Sequence, residues 1–549
     1  MYLNKPKRLS LFFFLLLLSE GILFHSCSEK EKDPTPSGPV PVINSITPSS
    51  GPVASPVTIS GLNMTENSKI YFPGPNNTTI QASLAGTGSI SGEKVLYTHV
   101  PAGAVTGKIK VDLKGAVGTS TIDFTVITPT ANLTISPTSG AAESTVVLTG
   151  TTFATTASGN AVTFLHSSGG RTTALISEVS PTGNYLVVRV PENVTEGDIQ
   201  VRIGDNIYAS TVPFKIRPCN VSTLAGGAAG YADGQGTAAK FQWGEGMATI
   251  GTTLYVADAN NNRIRKVDLA TGQVTTFAGS DYGFADGVGT AAKFSRPSGI
   301  TVGTDGQLYI TDSNNNRIRK VDPQTAQVTT VAGNATSGTT DGTGTAAILR
   351  NPAGITTAAD GTLYFTQGSD SHAIRQLNPL TGQVTTIVPS GTGGYVDGPA
   401  ATAKFSFPVA IAVANGYIYV ADEANERIRR ISLTDKTVST FAGGTSTGFS
   451  STDGLGLNSS FNEPHGMITD GTFLYIADAN LIRRVDLATA AVSTMVGYNT
   501  ISFSPKNGAC GDAEFDELKG IARAADGSIY VTEATGFSVD QELIRKIVP

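Results

Sequence analysis

Arg263, Arg265 and Lys266 stand within four residues of one another in the phrase NNNRIRKVD at 260–268, and the phrase returns letter for letter at 314–322. A cluster of this kind can contact phosphate on a nucleic acid. The other groups that do chemistry are sparse. Histidines occur only at 25, 99, 166, 372 and 465, and just two of them, His372 and His465, fall within residues 219–549. A zinc centre built from several histidines is therefore nearly excluded. No Cys and His stand paired, and the many Gly read as turn formers. Carboxylates remain, and hard cations take oxygen ligands. A Ca²⁺ site is thus the one metal chemistry left open, and no other cofactor is expected.

The elements that carry these residues repeat. Aligned on the phrase ADGxGTAAKF, a unit begins at Asp233, Asp286, Asp341, Asp397, Asp453 and, with the acid replaced, Asn507, at intervals of 53 to 56 residues. Each unit then runs P-x-G-I, G-x-L-Y-V-A-D, N-x-R-I-R-K-V-D and V-T-T-x-A-G. These are four strand-like stretches separated by turns, which is one propeller blade. The last unit stops at LIRKIVP after its third strand, while NVSTLAGG at 220–227 is a fourth-strand phrase without a blade. The N-terminal strand should therefore complete blade six, so that the ring leaves no unpaired edge. The unit resembles the NHL repeat, over residues 219–549.

Repetition changes the meaning of the basic phrase. Ile-Arg occurs in every unit, giving Arg265, Arg319, Arg375, Arg429, Arg483 and Arg545. An acid ends the preceding strand at Asp258, Asp312, Asp422, Asp478 and Glu533, with Gln367 in unit three. A pair that recurs around a ring pins the second strand of each blade to the third. The Asp of ADG reads as a turn former, and the Phe eight residues later as a core plug. The cations are spread around the ring and the chain is acidic, net −6, so nucleic acid is a poor partner.

Function should then sit where the repeat does not repeat, close to the channel. The position before P-x-G-I reads Trp243, Arg296, Asn351, Phe407, Glu463 and Glu517. Two residues on it reads Glu245, Ser298, Ala353, Val409, His465 and Lys519. Aromatic rings, acids, a His and cations around a central mouth could stack on apolar sugar faces and bond hydroxyls. Trp243, Glu245, Arg296, Asn351, Phe407, Glu463, His465, Glu517 and Lys519 are the candidate ligand residues, with Glu245, Glu463 and Glu517 first for Ca²⁺. The competing reading is that loop positions drift and that Trp243, the sole Trp, is simply packed. Cys219 and Cys510 fall in a third-to-fourth and a fourth-to-first link, expected on opposite faces of the propeller. A disulfide between them is therefore not expected.

Ahead of the repeat, residues 42–127 and 131–216 resemble each other. Both open on I-x-P-x-S-G-like phrases and close on F-x-V or F-x-I, with short β-branched runs between Pro, Gly and Ser turns. They resemble IPT/TIG immunoglobulin-like domains, a family that mostly acts as spacers or binding modules. Residues 1–26 read as a signal peptide: Lys5, Lys7 and Arg8 precede the apolar run LSLFFFLLLL, too short for a membrane span. Cys27, after Phe24 and Ser26, resembles a bacterial lipoprotein cleavage box, with Cys27 the lipidated residue; an ordinary signal with an incidental Cys is the alternative. Residues 27–41 are charged and then Pro-rich, a tether, and resemble the acidic stretch of Bacteroidota surface lipoproteins. Without residues 1–26 the chain has 35 cations against 43 acids, a net of −8.

The expected fold is all-β: two immunoglobulin-like sandwiches, then a six-bladed NHL-type propeller closed by its N-terminal strand at 219–549. The layout resembles Bacteroidota surface proteins that capture glycan beside an outer-membrane uptake system, which implies a non-enzymatic lipoprotein, lipid-anchored and facing the exterior. Glycan is the expected partner and a surface protein the next. Two alternatives stay open: a metal-dependent hydrolase or lyase with its site at the channel mouth, since some related six-bladed propellers carry one, and a protein-binding or adhesion module.

Overall fold

The structure is a computed structural model that describes residues 38–51, 56–126, 130–150, 153–204, 206–368, 371–444, 451–497, 505–534 and 541–548. The signal peptide, Cys27 and most of the tether lie outside the described residues. Among those described, every long element is a strand and the helical pieces are single 3-10 turns. No helix among them is long and apolar enough to cross a membrane.

Two compact units result, the first ending at Val126 and the second running from Ile127. The first is a sandwich of a four-stranded and a five-stranded sheet. Alternation along Pro56–Leu62 and Lys69–Pro73 turns Ile59, Ile70 and Phe72 inward, and Phe72 meets Phe124 edge to face at 5.4 Å. The second unit contains both the second sandwich and the propeller.

Tyr185–Arg189 of the second sandwich is buried on both faces instead of one. Leu186 and Val188 face the sandwich core. Tyr185 and Val187, with Val147, pack on Ala491 and Leu455 of blade five. The apolar patch exists because Ala491 stands where blades one to four carry Gln273, Gln327, Gln383 and Thr437. Ser136 Oγ donates to Asp486 at 2.6 Å, and Thr145 Oγ1, which donates to Asp453, accepts the Thr494 amide at 2.9 Å.

The six blades follow the expected order. In blade one Gly244–Ile250, Thr253–Asp258, Arg263–Asp268 and Gln273–Ala278 pair antiparallel in succession. Each blade is five-stranded, however, not four-stranded. A two-residue strand from the link that precedes the first strand, Gly234–Gln235 in blade one, adds to the outer edge. The turn after it needs a left-handed residue, which the second Gly of D-G-x-G-T supplies at Gly236, Gly289, Gly344 and Gly456 (φ 56° to 58°). Asn220–Ala228 pairs with Gln541–Val548 and closes the ring as expected, with Thr223 opposite Arg545.

Those extra strands overturn the expectation about the cysteines. Cys219 and Cys510 form a disulfide with Cα atoms 5.3 Å apart. The fourth-to-first link does not stay on one face: it runs back along the outer edge, so that Ala509 lies opposite Asn220 and the Cys510 amide donates to the Cys219 carbonyl at 3.1 Å. The bond therefore ties the closing strand to blade six across a separation of 291 residues. Reduction, or Cys219→Ser with Cys510→Ser, should lower the unfolding free energy by about 3 kcal/mol. Denaturant unfolding with and without reductant checks this; superimposable curves would show that the bond contributes nothing.

Candidate functional site

The buried arginine is the unit from which the site is built. Arg265 is fully buried, and its guanidinium donates four hydrogen bonds: to Asp258 at 2.7 Å, Asp233 at 2.7 Å, and the carbonyls of Ala232 and Lys240 at 2.8 and 2.9 Å. Arg319 repeats the set with Asp312 and Asp286. The Asp of ADG is therefore an ion-pair partner of the same guanidinium and not only a turn former. Phe241, Phe294, Phe405, Phe461 and Phe515 lie 4.8 to 5.2 Å from the respective guanidinium carbons, so the core plug is also a cation–π partner. In blade three Gln367 accepts from Arg375 at 2.6 Å.

The carboxylate that takes the arginine with one oxygen takes the main chain with the other. Asp258, Asp312, Asp422 and Asp478 accept the amides of Gln242, Ser295, Ser406 and Asn462 at 2.7 to 2.8 Å, and Glu533 accepts that of Asp516 at 2.6 Å. Gln367, which has an amide to offer, donates instead to the Arg350 carbonyl at 3.0 Å. Each held residue immediately precedes a candidate mouth position. The next residue is left-handed at Trp243, Arg296, Asn351, Phe407 and Glu463, with φ between 41° and 63°. Non-Gly residues rarely adopt this conformation, and its recurrence here marks a seat imposed by the scaffold.

From that seat the chain enters the first strand, where the Gly of P-x-G-I explains the close approach of blades. A β-carbon at Gly246, Gly299 or Gly354 would collide with the carbonyl of Ser298, Ala353 or Val409 in the next blade, and Gly520 meets Glu245 to close the circle. The first strands surround a central cavity of about 590 Å³.

Six of the nine candidates line it: Glu245, Arg296, Asn351, Phe407, His465 and Lys519. Trp243, Glu463 and Glu517 are not part of the wall. Trp243 is half-buried, its indole N–H donating to Glu245 at 3.1 Å beneath the Lys519 ammonium, 5.4 Å from the ring. Glu517 forms an ion pair with Lys519. Glu463 is exposed at the rim. Arg296 pairs with Glu245 at 3.0 Å. A continuous chain of contacts thus runs Glu517, Lys519, Trp243, Glu245, Arg296 across blades six, one and two, and of these Lys519, Glu245 and Arg296 line the cavity. Phe407, 42% exposed, belongs to blade four.

Burial pushes the Glu245 carboxyl up against the pull of Arg296. The His465 imidazole is driven down to about 3, by burial first and by Lys519 and Arg296 as well, so it is neutral at physiological pH. Glu423, in the turn after the second strand of blade four, is a member that repeat analysis passes over. Burial, with Glu463, Glu245 and Glu517 nearby, pushes its carboxyl up to about 7 against the pull of Lys519. Sequence reasoning also misses the position three residues before the buried arginine, although the repeat marks it. The Ca²⁺ candidates do not converge: Glu245 and Glu517 are committed to cations, and no group of three or more metal-ligating side chains is placed for an ion among the described residues.

Residues 41–126 match the IPT/TIG domain and residues 294–321 the NHL repeat. Protein SUPPRESSOR OF QUENCHING 1, chloroplastic, of Arabidopsis thaliana is 32% identical over 231 residues, 39% of this chain and 22% of that protein. NHL repeat-containing protein 2 of Homo sapiens is 31% identical over 157 residues, 27% of this chain and 22% of that protein. The chain spans about a fifth of the length of these curated relatives. An auxiliary nutrient binding protein from Bacteroides ovatus ATCC 8483 superposes with a TM-score of 0.45 at 18% identity, over 76% of this chain and 97% of that one.

Glu423 gives a test of the mouth electrostatics. An acid whose value rises from 4.5 to about 7 binds its proton more tightly in the fold, so the stability it contributes is lost as the pH climbs through that window. Glu423→Gln should unfold at a higher temperature than the parent at pH 8, with the two midpoints converging toward pH 4.5. Equal midpoints at pH 8 would show that the carboxyl is not held as described.

Proposed function

We propose that the chain is a non-enzymatic binding protein that takes a neutral glycan end at the mouth of the propeller channel. The observation that carries this is the division of the mouth. An exposed Phe407 ring lies on one blade, and across the cavity the wall of Glu245, Arg296 and Lys519 has its charges already paired, Glu245 with Arg296 and Lys519 with Glu517. Paired charges offer directional hydrogen bonds to hydroxyls with little net pull on an ion, while an exposed ring takes the apolar face of a sugar. A cavity of about 590 Å³ has room for a small number of sugar rings. Lipidation at Cys27, anchoring at the outer membrane with the propeller facing outward, and service to an uptake system complete the proposal. They rest on the N-terminal sequence and on layout alone.

A second reading draws on Glu423. A carboxyl pushed up to about 7 within the field of Glu245 and Lys519 can exchange protons at neutral pH, as a hydrolase or lyase requires. It predicts turnover of a bound saccharide that Glu423→Gln abolishes.

Trp243 is the sole tryptophan and touches two residues of the wall, Glu245 and Lys519, so its fluorescence reports occupancy. Titration of the full chain with neutral saccharides should give a saturable change, weakened at least about tenfold, or about 1.4 kcal/mol, by Phe407→Ala. Analysis of the mixtures for cleavage products separates the two readings. No saturable change with any saccharide would sink the glycan proposal.

A further inference from the structure

The third Asn of NNNRIRKVD has a task that reaches into the next blade. Asn262 is left-handed (φ 56°), and its Oδ1 accepts the amide of Arg296 at 3.0 Å. Asn316, its equivalent in blade two, does the same for Asn351 at 3.0 Å. Both stand three residues before a buried arginine, Arg265 and Arg319. A side chain at this position therefore fixes the main chain of the mouth residue in the following blade, completing what the carboxylate of that blade does for the residue before it.

The same position is not Asn in blades three, four and six, where it is His372, Glu426 and Glu542. His372 is left-handed at φ 52°, and its Nδ1 accepts the amide of Phe407 at 3.1 Å. The exposed aromatic residue of the mouth is thus held by an imidazole, while the polar Arg296 and Asn351 are held by Asn. An amide donor to Nδ1 also settles the tautomer, because the nitrogen that accepts carries no proton.

We infer that His372 is a positioning residue of the ligand site, fixing the aromatic Phe407 of the neighbouring blade through its main-chain amide. The inference rests on the proposed glycan site for its functional meaning, but the clamp itself is a property of the propeller. The imidazole is not required to touch ligand. A left-handed Phe407 whose amide lost its partner would have the extended region open to it, and the ring would leave the rim.

Two readings on the full chain test this. Amide hydrogen exchange at Phe407 should quicken at least about tenfold in His372→Ala, the loss of one hydrogen bond at a held amide, and return to the parent rate in His372→Asn, which restores the acceptor used by blades one and two. Glucose-based oligosaccharides and the other neutral saccharides that the parent binds should bind at least about tenfold more weakly to His372→Ala and with parent affinity to His372→Asn.

Unchanged exchange at Phe407 in His372→Ala would overturn the clamp. Quickened exchange with unchanged saccharide affinity would overturn its positioning role. Failure of His372→Asn to restore either reading would mean that the imidazole acts otherwise than as an acceptor. A parent chain that binds no saccharide would defeat the glycan proposal, and the exchange measurement would still decide the clamp.

Discussion

The guanidinium buried six times over is the interaction on which the rest of the structure depends. Taking a charge out of water is costly, and a buried ion pair rarely adds net stability over apolar side chains of the same volume. What it adds here is geometry. One planar fork joins the end of the second strand, the ADG turn of the outer edge and the link that enters the channel, each through a hydrogen bond of fixed direction. Removing a partner would leave an uncompensated buried charge, at a cost of about 3 to 5 kcal/mol. The repeat can therefore hardly drift at these positions without losing its blade.

The same constraint explains why the variable residues form a site at all. The side chain facing the arginine also fixes the main chain before each mouth residue, and at Arg296, Asn351 and Phe407 the side chain three before the arginine of the preceding blade fixes the amide of the mouth residue itself. At those three positions the main chain of the rim is held from two blades at once. Side chains on that rim are free to change because nothing in the scaffold depends on their chemistry. Trp, Arg, Asn, Phe and Glu share one backbone conformation and differ only in what they offer a ligand.

The second sandwich shows how one blade can be made different without breaking the ring. Ala491 replaces polar residues of the outer edge and packs with Leu455 against the sandwich, and Asp453 gives one oxygen to Arg483 and the other to Thr145 of the sandwich. Blade five keeps its internal arginine and acquires a docking face at the same carboxylate. In the other blades the equivalent oxygen serves the blade itself, as when Asp286 accepts the Thr330 amide.

Period, blade order, ring closure and the all-β architecture were legible in the sequence, because strand alternation and turn residues are local and a constant repeat of local signals leaves few arrangements. The set of mouth positions was legible for the same reason, as departures from a repeat. The partner of each residue was not. Asp233 read as a turn former since its ion pair with Arg265 spans 32 residues and a register that only the assembled blade sets. Cys219 and Cys510 read as remote because a two-residue strand carries too little pattern to be seen, yet that strand brings the two ends of the ring together. Glu423 and His372 were invisible as members of the site, since their roles come from packing one blade against the next. Local propensity is written along the chain, whereas the choice among distant partners is made only when close-packed neighbours exclude water and leave each buried polar group a single place to bond.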